Sequence, residues 1–309
     1  MGDGPEGGAS PTADAGPDSG DASTIQADAG LDAAADAPPG DAGPRCDRAM
    51  DFANAQPVMD GAQQLYAKHF RIARDGRRAY YVLPTSSTRL RAADLANGIL
   101  SSSIEVMEAP GSVEGGLGIS DAETELVLAF QGTGVLRYTR ATATAPFGAA
   151  AQFVFTAPSP LPADQVWMPY LPRGGGVVFS LLQQPATGTS WGVFAGAFDA
   201  GVIRAVAAPG LKPPDGFMYS SVLADPLHML VARWGAGPTE FYPRLFDSRR
   251  SGALASWETP KPVDIKGLTF VDPDVVIPFD VTADDCELYF GRSANFQAGF
   301  NVFRATRPK

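Results

Sequence analysis

Two cysteines and two histidines are all that the 309 residues contain. A cysteine-framework fold is thereby excluded, because such scaffolds need several bridges for a small core. A two-histidine metal site would have to draw His69 and His228 from distant parts of the chain, and ordinary placement of both is the expectation. No run of eighteen apolar residues exists, so the sequence offers no membrane-spanning helix. Nor is there a G-x-S-x-G, a Walker loop or an H-E-x-x-H.

Basic clusters are missing too. The net charge of −10 belongs to one end: residues 1–45 hold nine of the 34 acids and one of the 24 bases. The remaining 25 acids and 23 bases leave residues 46–309 almost neutral. Nothing resembles the cationic footprint that displaces counterions from phosphates, so nucleic acid is not an expected partner.

The start, "MGDGPEGGAS", has neither a charged n-region nor an apolar h-region. The following "PTADAGPDSGDASTIQADAGLDAAADAPPGDAGPR" is almost free of large apolar side chains and cannot offset the entropy of ordering. Residues 1–45 therefore read as a disordered acidic spacer and 46–309 as the folded domain. A spacer of this kind suits a domain held away from a surface. The expectation is an exported precursor whose leader, and with it a lipid anchor, lies ahead of residue 1. The alternative is a cytosolic protein with a disordered tail.

From residue 50 onward, short apolar strands alternate with turn residues. One unit recurs: "RIARDGRRAYYV" (71–82), "GISDAETELVLAF" (118–130), "PYLPRGGGVVFSL" (169–181), "SVLADPLHMLVA" (221–232) and "FDVTADDCELYF" (279–290). The apolar pairs after the turn are Ala79/Tyr81, Leu126/Leu128, Val177/Phe179, Met229/Val231 and Leu288/Phe290. A period near fifty with several strands per unit predicts an all-β, five-bladed β-propeller of four-stranded blades. Third strands follow as "TRLRAADL", "GVLRYTRA", "WGVFAGAF", "EFYPRLFD" and "FNVFRATR". The last unit ends without its fourth strand, and "FANAQPVMD" (52–60) matches the missing piece. The N-terminal strand should thus complete the last blade.

That closure brings the cysteines together. Cys46 precedes the closing strand and Cys286 opens the second strand of the blade it joins, so a disulfide is geometrically reasonable and implies an oxidising compartment. Two buried free thiols are the alternative.

The last repeat, "VTADDCELYFGRSANFQAGFNVFRATRP", resembles the WD-like propeller repeat of TolB-type proteins, with its polar turn, "LYF" strand and "diyrA"-like strand. "RIARDGRRAYYV" carries the same turn, and "RYTRATATAPFG" resembles a strand-to-strand passage of secreted propellers. With the spacer, the resemblance implies a bacterial secreted or surface lipoprotein of the cell envelope, outer-membrane or periplasmic. TolB-type proteins usually carry six blades, which makes six the alternative count.

Propeller ligands usually bind where the outer strand of one blade loops into the inner strand of the next. Those loops hold Gln63, Glu114, Asp164, Asp215, Asp272 and Asp274, with Trp167 beside them. Converging on the pore, they would form an acidic mouth for a protein or glycan ligand. Asp is also simply favoured in turns that precede strands. Paired carboxylates there could run glycoside hydrolysis only if about 5–9.5 Å apart, which leaves a glycan-active hydrolase or lyase as the alternative to a non-enzymatic binding module. No catalytic residue is assigned. Asp272 with Asp274 is a calcium candidate, no other cofactor is expected, and the domain should be a monomer. The "GGG" after Arg173 reads as hairpin chemistry and not as a phosphate cradle.

Overall fold

The computed structural model describes residues 46–113, 115–130, 134–156, 166–172, 176–183, 190–207, 218–225, 227–233, 244–252, 255–270, 274–294 and 299–309. Every regular element among them is a strand. The chain opens with β1 (Phe52–Pro57) and passes through the short β2 (Met59–Asp60), β3 (Gln63–Gln64) and β4 (Tyr66–Ala67). Blade one follows as β5 (His69–Ile72), β6 (Arg78–Leu83), β7 (Ser86–Ala96) and β8 (Ile99–Glu108). Blade two is β9 (Gly116–Ile119), β10 (Glu125–Phe130), β11 (Gly134–Thr139) and β12 (Ala151–Thr156). Blade three is β13 (Val166–Tyr170), β14 (Val177–Gln183), β15 (Ser190–Asp199) and β16 (Val202–Ala207). Blade four is β17 (Met218–Asp225), β18 (His228–Arg233), β19 (Arg244–Arg249) and the brief β20 (Lys261–Pro262). After β21 (Ile265–Lys266), blade five supplies β22 (Val275–Val281), β23 (Glu287–Ser293) and β24 (Phe300–Thr306).

The fourth strand of blade five is β1, antiparallel to β24 with Ala53 opposite Thr306 and Gln56 opposite Arg304. The five-bladed propeller closed by its N-terminal strand, read from the repeat, is the fold. Cys46 and Cys286 form the expected disulfide, with Cα atoms 5.6 Å apart. Asp47 N–H donates to Pro308 O beside it, tying the two chain ends together.

Each repeat folds this way for a local reason. Three of the turns between first and second strands place their fourth residue in the left-handed region: Gly76 (φ 68°), Glu123 (φ 57°) and Asp285 (φ 57°). Polar neighbours tie these turns off: Arg77 N–H donates to Asp75 Oδ1, and Glu287 N–H to Thr282 Oγ1. The alternating residues beyond the turn, such as Ala79/Tyr81, Leu126/Leu128 and Leu288/Phe290, are buried. They fill the spaces between neighbouring blades. Phe70 of blade one stacks on Tyr289 of blade five at 5.6 Å and lies 6.1 Å from Phe279, joining the two blades, while Phe279 meets Phe300 edge-on at 5.7 Å within blade five.

The rim holds pairings that the repeat does not announce. Outer strands gain parallel partners: β2 on β8, β12 on β16 and β21 on β1. Each covers part of an edge that would otherwise present unpaired amides. In blade four, Pro260 and Pro262 lack amide protons, which keeps β20 to two residues.

Candidate functional site

At the axis, inner strands from four blades meet around a buried charge pair. Arg71, on β5, is 2% exposed. Its Nε donates to Leu117 O of blade two at 2.9 Å, and its Nη2 to Pro169 O of blade three at 3.3 Å. The guanidinium also lies 5.3 Å from the Tyr170 ring centroid. Asp280, on β22, accepts the Ile72 amide at Oδ2 and the Val281 amide at Oδ1, both at 2.9 Å. Burial pushes its carboxyl up to about 6, against the opposing pull of Arg71 and the two amides. One glycine makes the reach of Arg71 possible: a Cβ on Gly118 would stand 2.9 Å from Pro169 O. Above the pair, His69 Nε2 lies 3.1 Å from Val113 O.

At the mouth, Asp274 is 8% exposed and its Oδ2 accepts from Arg292 Nη2 at 2.7 Å, while its carbonyl accepts from Arg244. It is a brace between β22 and β23, joined to blade four through Arg244. Gln63 lies exposed in the β2–β3 hairpin, whose β2 pairs with the outermost strand of blade one and whose Gln64 Nε2 donates to Val302 O. Trp167 stands on β13 opposite Ser180. Glu114, Asp164, Asp215, Asp272 and the turn residues 173–175 lie outside the described residues. Among the described residues no group of three His, Cys, Asp or Glu could hold a metal ion, and no helix is long and apolar enough to cross a membrane.

Tyr66 is an exposed aromatic that loop reading missed. It is 38% exposed, on β4 opposite Asn301, with Pro84 and its ring crowding Gly299. Arg71 and Asp280 were missed for a different reason: each sits inside an apolar strand pattern, where sequence gives no sign that the facing strands converge.

The two left-handed acids build matching joints between blades. Glu123, in the turn of blade two, accepts from the Tyr80 hydroxyl on β6 of blade one. Arg140, just after β11, donates Nε to Glu123 O at 2.6 Å and Nη2 to the Tyr80 oxygen at 2.8 Å. Burial, then Glu123, pushes the Tyr80 phenol up to about 12. Asp285 occupies the corresponding place in blade five. Its Oδ2 lies 3.2 Å from Nδ1 of His228 on β18 of blade four. Arg307, just after β24, donates Nε to Asp285 O at 2.9 Å and places Nη2 3.4 Å from its Oδ2.

No family model matches the chain, and no curated protein matches it. Among solved structures, similarity extends to the WD40 repeats of RRP9 (10% identity, 84% of this chain, 99% of that one, TM-score 0.44). It extends also to an endo-arabinase of Bacteroides thetaiotaomicron (12% identity, 84% and 97%, TM-score 0.47). A gluconolactonase of Xanthomonas campestris stands at 10% identity, 82% and 89%, with a TM-score of 0.42. Likeness this distant bears on no activity, and the blades of this chain themselves define the fold.

Proposed function

We propose that the chain is an exported, surface-tethered binding module that takes a protein or glycan ligand on the propeller face without turning it over. One observation carries this reading: the polar groups described at the axis and mouth are committed to structure. Arg71 bonds inner strands of blades two and three, Asp280 ties blade five to blade one, and Asp274 is held by Arg292. Recognition then falls to exposed side chains, with Tyr66 and Gln63 among them. The acidic loops at Glu114, Asp164, Asp215 and Asp272 remain proposed ligand contacts.

The disulfide supports a compartment outside the reducing cytosol. Residues 1–45 would be the spacer to an anchor, as in TolB-like envelope lipoproteins, and the domain a monomer. The test is an immobilised panel of polysaccharides and envelope proteins, scored for retention and for released reducing ends. Retention without new reducing ends, weakened by Tyr66→Ala, is the expected result. Reducing ends that vanish in Asp215→Asn would replace the binding module with a glycan-active enzyme.

A further inference from the structure

Two joints of similar design differ in what the neighbouring blade contributes, and that difference has a consequence. In the Glu123 joint the neighbouring blade contributes Tyr80, and in the Asp285 joint it contributes His228. Both acids hold a left-handed backbone that a side chain adopts at a cost, and both use that side chain across the blade boundary. The tyrosine joint holds no histidine. The histidine joint has one, and it sits where the ring closes: Asp285 directly precedes Cys286.

His228 is buried with a carboxylate at each ring nitrogen. Nδ1 is 3.2 Å from Asp285 Oδ2 and Nε2 is 3.3 Å from Asp247 Oδ2 of β19. A neutral imidazole carries one N–H, so one of its lone pairs must then face a carboxylate. Only the imidazolium suits both neighbours. The carboxylates lie on opposite sides of the ring, an arrangement that no single metal ion could chelate. The surrounding charges come from every packed element: Asp225 on β17, Arg249 on β19, Asp284 in the blade-five turn and Arg307 at the C-terminus. Arg249 and Arg307 each offset one of the two carboxylates.

We propose that His228 is a proton-operated clasp on ring closure, tightening the joint between blade four and the Cys286 turn when protonated and slackening it when neutral. Burial alone would lower the ring's affinity for a proton, but Asp247 and Asp285 outweigh it and raise the pKa above 6.5. A raised folded-state value places the full stabilisation below pH 6.5 and loses it as the pH climbs through the elevated value. The clasp therefore holds in mildly acidic surroundings and relaxes in neutral to alkaline ones.

With only two histidines, ring-labelled NMR of the oxidised, full-length protein gives two titrations, and His69→Gln assigns them. The disulfide reports the joint itself, because both cysteines are 4% exposed and reduction requires the turn to open. Native-state reduction by a phosphine, normalised to a small disulfide at each pH, should speed up between pH 6 and 8.5. The rise should reach about tenfold for each unit by which the His228 pKa is elevated. His228→Gln should be fast and flat with pH. Should that variant not fold, Asp247→Asn should shift both the His228 titration and the reduction curve to lower pH. A His228 signal titrating at or below 6.5, or a wild-type reduction rate flat with pH while the ring titrates, would overturn the clasp.

Discussion

Arg71 and Asp280 show how much a single buried residue can hold. Removing the buried cation whose field acts on the buried Asp280 leaves that carboxyl uncompensated, and losses of this kind typically cost about 3–5 kcal/mol. Arg71→Met should therefore lower the unfolding free energy in urea by about that amount, and loss of the carbonyl bonds to blades two and three adds to it. A loss under about 1 kcal/mol would show that the axis is not braced by this side chain. The acid has its own signature. Because the Asp280 carboxyl titrates at about 6 when folded, above its ordinary value near 3.8, the native state binds its proton first. Stability from this group is full below about pH 4 and falls as the pH rises through 6. Asp280→Asn should remove that slope from a pH series of melts, separating it from the His228 slope at higher pH.

At the scale of elements, the decisive feature is how closely β9 approaches β13. Gly118→Val would drive a branched side chain into Pro169 O, where even a Cβ stands 2.9 Å away, and overpacking of this kind costs about 1–3 kcal/mol. Denaturant titration of the variant measures it. Such cross-blade facts were not legible beforehand. The repeat could be aligned because turn and alternation are local: "RIARDGRRAYYV" writes β5, its turn and β6 in twelve residues. The missing fourth strand was legible for the same reason, as a segment with strand chemistry and no partner. Arg71 and Asp280 are 209 positions apart, and their meeting depends on the curvature of the whole ring. Asp274 was legible only as an acid ahead of a strand, and its contact with Arg292 at 2.7 Å was not. The left-handed turn position was visible as Gly76, but only three superimposed turns reveal that Glu123 and Asp285 stand in its place.

For the whole molecule, closure rests on two devices, the β1–β24 ladder and the Cys46–Cys286 bond. The bond spans 240 residues, and a bridge over a loop of that length restricts the unfolded chain strongly. Paired Cys46→Ser and Cys286→Ser substitutions should lower stability by about 2–5 kcal/mol, read from urea midpoints of oxidised wild type and variant. Equal midpoints would leave the ladder as the sole closure.

The position of that bond also decides where a pull on the N-terminus is felt. Cys46 lies ahead of β1, so tension arriving along the preceding residues passes through sulfur to Cys286 before it reaches a backbone hydrogen bond of the ladder. The strand that completes the ring is shielded from the load, and the force enters blade five at the turn after β22. Without the bridge, such a pull would peel β1 from β24 one hydrogen bond at a time, like a zipper. With it, the pull lands on the far side of the seam.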